Sequence, residues 1–194
     1  MIDRTLIMPG RRVVRLHDQL MDGLADLLTR APGATVLDLG MNRGLVGYTM
    51  AWYGARLVHG IELAPDGVST ARAMFADLVE VQSQFEVGDL TKGAECLAPF
   101  GGAGWDIVLM LGVYHKIKRV PSKPYKELGA RGMNAEELSE LVTALGRRTL
   151  KYFAFRGDIG DFEQVDSDLE KAGLRRVHTS EISVLGPSGI WRRD

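Results

Sequence analysis

Residues 34–54, "ATVLDLGMNRGLVGYTMAWYG", decide the fold, because they join a short apolar run, a turn with two glycines and a helical pattern. The run 34–39 is almost entirely apolar, which is typical of a strand buried on both faces. The residues after the turn have helical spacing, and Gly54 follows them in the position of a C-terminal cap. A strand that leads through a turn into a helix is the building unit of parallel α/β sheets.

The alternation of strands and helices continues towards the C-terminus. Further strands are predicted at 56–62, 85–89, 105–111 and 150–155. Helices are predicted at 16–31, from Pro65 to 79, at 134–146 and near 162–173. The helix at 134–146 opens on Asn134 and has Glu137 three residues later, which is a capping-box arrangement.

The last 21 residues follow a different pattern. The segments "LRRVHTSEISVL" (174–185) and "IWRRD" (190–194) flank "GPSG", which predicts two antiparallel strands joined by a tight turn. Strands that alternate with helices before this pair predict a parallel sheet with helices on both faces. We therefore expect a three-layer α/β/α sandwich around a mostly parallel seven-stranded sheet with a C-terminal antiparallel hairpin.

The composition is that of an ordinary globular protein with one domain over 1–194. A net charge of −1 gives no global attraction to nucleic acid or membranes. The single Cys96 excludes a disulfide framework within the chain and any multi-cysteine metal site, which is typical of the cytoplasm. Asp3, Arg4 and Pro9 interrupt the N-terminal apolar residues, so no signal peptide is expected. We expect a cytoplasmic protein without a bound metal and without a membrane span.

The loop between the first strand and its helix is the expected ligand site, because ligands of parallel sheets bind beyond the carboxyl ends of the strands. A phosphate-binding loop ends in Gly-Lys-Ser/Thr, and "GMNRGLVG" has no such lysine. The dinucleotide pattern requires glycine at three positions, which here hold Gly40, Asn42 and Leu45. S-adenosylmethionine (SAM) has no phosphate and remains a candidate. A turn that only reverses the chain is the alternative.

The order of four segments carries a resemblance to a known family. These are "LDLGMNRG", then Glu62 in "HGIEL", then Asp89 in "FEVGDL", then "WDIVLMLGVYH". From about residue 34 to its end, the chain resembles the class I, Rossmann-like SAM-dependent methyltransferases. The resemblance implies that the first loop lies against the methionine and ribose parts of SAM. It also implies that Glu62 binds the ribose hydroxyls and that Asp89 binds the adenine amino group.

The resemblance implies an enzyme that transfers a methyl group from SAM. The cofactor-binding residues that it implies are Asp38, Gly40, Asn42, Gly44, Glu62, Leu63, Asp89, Leu90 and Leu111. Two alternatives stay open. A nicotinamide-dependent oxidoreductase also needs an acid for the ribose, and a non-catalytic SAM-binding domain needs the same cofactor site.

The acceptor is expected beside the loop 112–133, which follows the fourth strand, while residues 1–33 form an N-terminal arm and helix. The segment "LGVYH" resembles the end of that strand in some methyltransferases, including ones that modify transfer RNA. This resemblance implies that Tyr114 and His115 stand near the transferring methyl group. The imidazole of His115 suits a base or an orienting group. The alternatives are that Tyr114 packs and that His115 caps the strand.

The same loop is rich in cations as far as Arg131. We expect Lys116, Lys118, Arg119 and, after the fifth strand, Arg156 to bind the acceptor. An anionic small molecule or a glycan would suit these cations. An RNA acceptor of the transfer RNA type is the alternative, although the loop offers only Tyr125 beyond Tyr114 for stacking on bases. A solvated loop is the third possibility.

Overall fold

The computed structural model of the chain describes residues 5–8, 12–15, 20–102, 104–119, 126–129, 131–181 and 185–194. Its strands are β1 Thr5–Met8, β2 Arg12–Arg15, β3 Thr35–Leu39, β4 Leu57–Glu62, β5 Gln82–Val87, β6 Trp105–Leu111, β7 Thr149–Arg156, β8 Leu174–Ser180 and β9 Ser188–Arg193. Within these residues, seven strands form one sheet in the order β5-β4-β3-β6-β7-β9-β8. Strand β9 is antiparallel to both of its neighbours, and all other neighbours are parallel.

Helices cover both faces of this sheet. The α-helices are α1 Leu45–Trp52, α2 Pro65–Phe75, α3 Tyr114–Lys118, α4 Ala135–Arg148 and α5 Phe162–Lys171, and 3₁₀ helices lie at Ala25–Arg30, Leu90–Phe100 and Ile159–Asp161. One buried cluster joins Leu37 of β3 to residues of α4, α5 and the 3₁₀ helix at 90–100. A second cluster joins Val36, on the opposite face of β3, to α1, α2 and the 3₁₀ helix at 25–30. The predicted three-layer architecture is confirmed.

Strand β3 lies at the centre of the sheet, and all five of its residues are buried. From β3 the chain proceeds to one side through β4 and β5, and it then crosses to the other side as β6. The order of the strands therefore reverses between β3 and β6. At such a reversal the connecting loops diverge and leave a crevice beyond the carboxyl ends of the strands.

The N-terminal region differs from the predicted helix at 16–31. Residues 16–19 lie outside the described part of the chain, Leu20 is helical, residues 21–23 form a turn, and a 3₁₀ helix begins at Ala25. Gly23 has a φ of 74°, a left-handed conformation that interrupts a right-handed helix. Further upstream, β1 and β2 pair as an antiparallel hairpin, which the sequence interpretation did not predict. Leu24, Leu27 and Leu28 of this segment are buried, but the prediction of one continuous helix is wrong.

Two further boundaries differ from the predictions. Strand β5 spans Gln82–Val87 rather than 85–89, because Asp89 is the N-cap of the next helix and accepts a hydrogen bond from the Thr91 N–H. The C-terminal strands are antiparallel as predicted, but β8 ends at Ser180 and β9 begins at Ser188. Their connection is thus longer than a tight turn, and its residues 182–184 lie outside the described part. The capping box of α4 is confirmed, with Asn134 and Glu137 bonded reciprocally.

Candidate functional site

The loop between β3 and α1 is wound tightly. Gly40, Asn42 and Gly44 have φ values of 63°, 53° and 76°, so three residues within five are left-handed. A Cβ atom on Gly40 would lie 2.5 Å from Cγ2 of Val113, and one on Gly44 would lie 2.9 Å from Cβ of Ala71. Glycine is therefore required at both positions, because the φ is positive and because a neighbouring side chain lies too close for a Cβ atom. The contact with Val113 also brings the residues after β6 directly against this loop.

Asn42 is the one non-glycine residue with a positive φ among the described residues. Asparagine tolerates the left-handed conformation better than other side chains do, because its short amide can bond locally. This left-handed position would suit glycine, and asparagine is one of the few other residues that tolerate it. It also places a polar side chain in the loop of the predicted cofactor site.

Glu62 connects three parts of this region. The residue is 8% exposed, and its Oε2 accepts a hydrogen bond from the Asn42 N–H at 3.0 Å. Oε1 accepts from the Ala64 N–H, also at 3.0 Å. A Cβ atom on Gly67 would lie 2.5 Å from the Asn42 carbonyl oxygen and 3.1 Å from Cγ of Glu62, so the first turn of α2 packs closely against both. Glu62 thus fixes the loop after β3 to the end of β4 and to the start of α2.

Asp38 lies in β3, two residues before Gly40 of this loop, and is 4% exposed. Its Oδ2 accepts a hydrogen bond from the Gly47 N–H in α1 at 3.2 Å. Burial raises the pKa of Asp38 to about 7, the nearby charge of Glu62 adds to the rise, and the Gly47 bond opposes it. A carboxyl group with this pKa is readily ionised by a cation that binds beside it.

Asp89 follows β5, the strand next to β4. Its Oδ1 accepts two hydrogen bonds from Thr91, one from the backbone N–H at 2.9 Å and one from the hydroxyl at 2.7 Å. Within the described part of the chain, no hydrogen bond reaches Oδ2 of Asp89. Thr91 was missed in the sequence, although a threonine two residues after an aspartate is a recognisable capping signal.

The three leucines of the predicted cofactor site lie at the same edge of the sheet. Leu63 directly follows β4, Leu90 opens the 3₁₀ helix after Asp89, and Leu111 ends β6. Leu90 is buried, whereas Leu63 and Leu111 are half-buried. Half-buried leucines at strand ends offer apolar surface to a ligand.

Tyr114 and His115 occupy adjacent positions in α3 but differ in their surroundings. Tyr114 is 2% exposed, belongs to the larger core cluster and packs edge-on against Phe155, with ring centroids 5.4 Å apart. Burial raises the pKa of Tyr114 to about 12, and the charges of Asp161 and Asp168 add to the rise. Its position agrees with the packing alternative. His115 is half-buried and is therefore the better placed of the two for an acceptor.

The cations predicted to bind the acceptor mostly contact the protein itself. Lys118 is paired with the buried carboxylate of Asp161, and Arg119 with Asp158 at 3.0 Å. Lys116 is exposed and has no such partner among the described residues. Residues 120–125 and 130 of this loop, including Tyr125, lie outside the described part.

Arg156 is 3% exposed at the end of β7 and points to the N-terminal segment. Its guanidinium donates to the carbonyl oxygens of Leu20 and Asp22 at 2.9 and 2.6 Å. These contacts are those of a residue that anchors the chain ahead of the 3₁₀ helix at 25–30. No local pattern signals this role, because the partners are backbone atoms more than 130 positions away.

The described ranges contain neither a cluster of metal ligands nor a membrane-spanning helix. No three His, Cys, Asp or Glu side chains lie together in a way that could hold a metal ion. No helix in these ranges is long and apolar enough to cross a membrane.

Comparison with known proteins extends these observations. No protein-family model matches the chain, and no match was found among the curated proteins. Among solved structures, the chain is similar to magnesium protoporphyrin IX methyltransferase from Synechocystis with bound SAM, at a TM-score of 0.66 and 19% identity over 92% of this chain and 80% of that one. It is also similar to the ribosomal protein L11 methylase of Lactobacillus delbrueckii subsp. bulgaricus (TM-score 0.60, 16% identity, 88% and 78% covered).

A third similar structure is the N-methyltransferase NodS from Bradyrhizobium japonicum, with a TM-score of 0.59, 11% identity and 87% and 93% of the two chains covered. At these identities the likeness concerns the fold. The sheet order and the single antiparallel strand β9 agree with it. The chain therefore has the Rossmann-like fold of the class I SAM-dependent methyltransferases.

Proposed function

We propose that this protein is a SAM-dependent methyltransferase. The observation that carries the proposal is the Glu62 carboxylate, which is held at the crevice by the N–H groups of Asn42 and Ala64. Asp38 and Asp89 lie at the ends of the two neighbouring strands. Three carboxyl groups at one strand edge disfavour a pyrophosphate, because like charges repel at short range. They favour a ligand with a vicinal diol, an amine and a cationic end.

The chemistry of the three acids fits the parts of SAM. Each oxygen of Glu62 accepts one backbone hydrogen bond and keeps a second lone pair, so the carboxylate can also accept from two ribose hydroxyls. Oδ2 of Asp89 can accept from the adenine amino group. Asp38 would lose its proton when the methionine ammonium approaches, since a nearby cation favours the charged carboxylate.

The remaining predicted contacts complete this site. The methionine and ribose parts of SAM would face the backbone of Gly40, Asn42 and Gly44. The side-chain amide of Asn42 can donate a hydrogen bond to the methionine carboxylate. Leu63, Leu90 and Leu111 would supply apolar contacts to the adenine and ribose.

When bound, SAM supplies an activated methyl group on a sulfonium. The protein has to align an acceptor with that group and keep water out. His115 in α3 would orient the acceptor or take its proton where the acceptor atom carries one. Its neighbour Val113 packs against Gly40 in the loop after β3, which supports a location of α3 beside the cofactor. Tyr114 would support α3 from the core.

For the acceptor we propose a small molecule or a glycan. Lys118 and Arg119 are neutralised by Asp161 and Asp158, which weakens the positive field that a polyanion such as RNA would need. Lys116 is left to contact an anionic group on a smaller acceptor. RNA stays an outcome of the test below.

Isothermal titration with S-adenosylhomocysteine (SAH) tests the cofactor. We expect the wild type to bind SAH and the Glu62→Gln variant to bind it about tenfold more weakly, because one acceptor atom is lost while the side-chain shape is kept. Glu86→Gln is the matched control, since Glu86 lies in β5 and pairs with Arg72 away from the crevice. Binding of NAD without binding of SAH by the wild type would contradict the proposal and favour an oxidoreductase.

Transfer from methyl-labelled SAM into a cell extract identifies the acceptor. Label in the fraction of small molecules or glycans would support the acceptor proposal. Label that disappears on treatment with ribonuclease would contradict it and favour RNA. Binding of SAH with no labelled product in any fraction would favour a non-catalytic SAM-binding domain.

A further inference from the structure

Arg131 joins two elements that are distant in sequence. Its guanidinium forms a two-point ion pair with Glu137, with nitrogen–oxygen distances of 3.0 and 2.8 Å. The same group donates to the carbonyl oxygen of Thr91 at 3.0 Å. Arg131 therefore links the start of α4 to the first turn of the helix that follows β5.

The carboxylate that holds Arg131 is itself fixed. Oε2 of Glu137 accepts from the Asn134 N–H at 2.9 Å, and the Glu137 N–H donates to Oδ1 of Asn134 at 2.9 Å. This capping box restrains the Glu137 side chain. A carboxylate with both oxygens in place orients the planar guanidinium through two parallel hydrogen bonds, which a lysine cannot form.

On its other side, Arg131 acts on the residue that holds Asp89. Thr91 is 4% exposed and gives Asp89 Oδ1 both its backbone N–H and its hydroxyl. These two bonds set the rotamer of Asp89 and leave Oδ2 without a partner within the described residues. The position of Oδ2 thus depends on Thr91, whose carbonyl oxygen accepts a hydrogen bond from Arg131.

We propose that Arg131 is a positioning residue that sets the selectivity of this site for adenine, through Thr91 and Asp89. This inference rests on the proposed function, in which Asp89 accepts a hydrogen bond from the adenine amino group. It assigns Arg131 a role different from that of an acceptor-binding cation in a basic loop. In this role Arg131 acts by holding the carbonyl oxygen of Thr91.

The test compares SAH with S-inosylhomocysteine, in which a carbonyl oxygen replaces the adenine amino group. A carboxylate placed to accept from an amine rejects a carbonyl, so the wild type should bind SAH much more tightly than the inosine analogue. We expect Arg131→Met to reduce the ratio of the two affinities about tenfold, since one charge-assisted interaction no longer orients the site. Binding is measured by titration calorimetry on the full chain.

Asn134→Ala is the matched control. It removes the side-chain half of the capping box, the bond from the Glu137 N–H to Oδ1 of Asn134, and so weakens the start of α4. It keeps the backbone bond from the Asn134 N–H that restrains Oε2 of Glu137, together with the Arg131–Glu137 pair and the bond to Thr91. We expect this variant to keep the wild-type ratio. Arg131→Lys keeps the positive charge but loses the planar guanidinium that forms two parallel hydrogen bonds, and it should give an intermediate ratio of the two affinities. It also serves as the test variant if circular dichroism finds Arg131→Met unfolded.

The outcomes separate the inference from the proposed function. A reduced ratio in the Arg131 variants alone supports the inference. An unchanged ratio in them, or an equal reduction in Asn134→Ala, overturns it while the proposed function stands. Equal affinity of the wild type for both ligands overturns the inference and the assignment of Asp89 to the adenine amino group, while binding of the cofactor stands. A wild type that binds neither ligand overturns the proposed function and the inference with it.

Discussion

The backbone N–H of Asn42 donates to the Glu62 carboxylate at 3.0 Å, so a residue in a left-handed turn and an acid twenty positions later hold each other in place. The bond uses the backbone of Asn42 and leaves its side-chain amide available. It connects the loop after β3 with the end of β4, the two segments that the proposed function places around the ribose and methionine parts of SAM.

Replacing Asn42 separates its two roles. Asn42→Gly keeps the left-handed turn and the backbone bond but removes the amide, and we expect it to weaken SAH binding without loss of stability. Asn42→Ala removes the amide and also strains the turn, at a cost of about 1 kcal/mol of unfolding free energy. Titration calorimetry and urea unfolding measure the two effects. If both variants bind SAH like the wild type, Asn42 is a turn residue only.

Gly40 should be among the least replaceable residues of the site. In Gly40→Ala the new Cβ would lie 2.5 Å from Cγ2 of Val113, and the residue would also keep a φ of 63°. Gly33→Ala is the control, because Gly33 has a similar φ of 71° but nothing within 4 Å of the added atom. We expect Gly33→Ala to cost about 1 kcal/mol of unfolding free energy from the backbone alone.

Gly40→Ala should cost about 1–3 kcal/mol more than that control, because overpacking is added to the backbone strain. The double variant with Val113→Ala should recover part of the difference. Equal losses in Gly33→Ala and Gly40→Ala, measured by urea unfolding, would mean that the contact with Val113 carries no cost.

Asp38 should make stability depend on pH in an unusual direction for an acid. Its pKa is about 7 in the folded chain, above the ordinary value of 3.8 for an aspartate, so the folded state binds more protons than the unfolded state between these values. The stabilisation from a protonated Asp38 is full below pH 3.8 and is lost as the pH rises through 7. The loss is on the order of a few kcal/mol.

The isosteric variant Asp38→Asn lacks this titration. Its unfolding free energy should therefore rise relative to that of the wild type between pH 5 and pH 8. Asp106→Asn is a useful control, because burial of Asp106 is outweighed by hydrogen bonds from Thr35 and Lys151 and its pKa is lowered. The unfolding free energy of Asp106→Asn should not rise relative to that of the wild type over this pH range. A difference between Asp38→Asn and the wild type that stays constant with pH would rule out the raised pKa.

Arg156 is expected to act on the N-terminal segment. Arg156→Met leaves the carbonyl groups of Leu20 and Asp22 without their donors, which should lower the unfolding free energy by about 2–3 kcal/mol. Amide hydrogen exchange should also increase over residues 20–31. Arg119→Met is the control, since its pair with Asp158 is largely exposed and contributes at most about 1 kcal/mol. Unchanged exchange in Arg156→Met would leave the acceptor role as the better explanation.

The sequence by itself determined the order and type of most elements. Buried parallel strands must be apolar on both faces, and helices between them must carry an apolar stripe, so both leave periodic patterns that can be read locally. The residues that begin helices could also be recognised from the sequence. Pro65 begins α2, and Asn134 with Glu137 begins α4, because the groups that satisfy a helix start lie within three or four residues of it.

Only the tertiary structure decided which polar groups meet. Arg156 binds carbonyls that precede it by more than 130 positions, Arg131 binds Thr91 forty positions away, and Lys118 binds Asp161. A charged residue needs an oppositely charged partner, a hydrogen-bond partner or water, but the sequence does not identify which of these it has. The same limit applies to Tyr114, whose place in the core depends on how α3 packs against Phe155. The alternation of residues along a strand determines the face of the sheet on which a side chain lies. Its neighbours across the crevice are determined by the packing of loops, and loops have no regular sequence pattern.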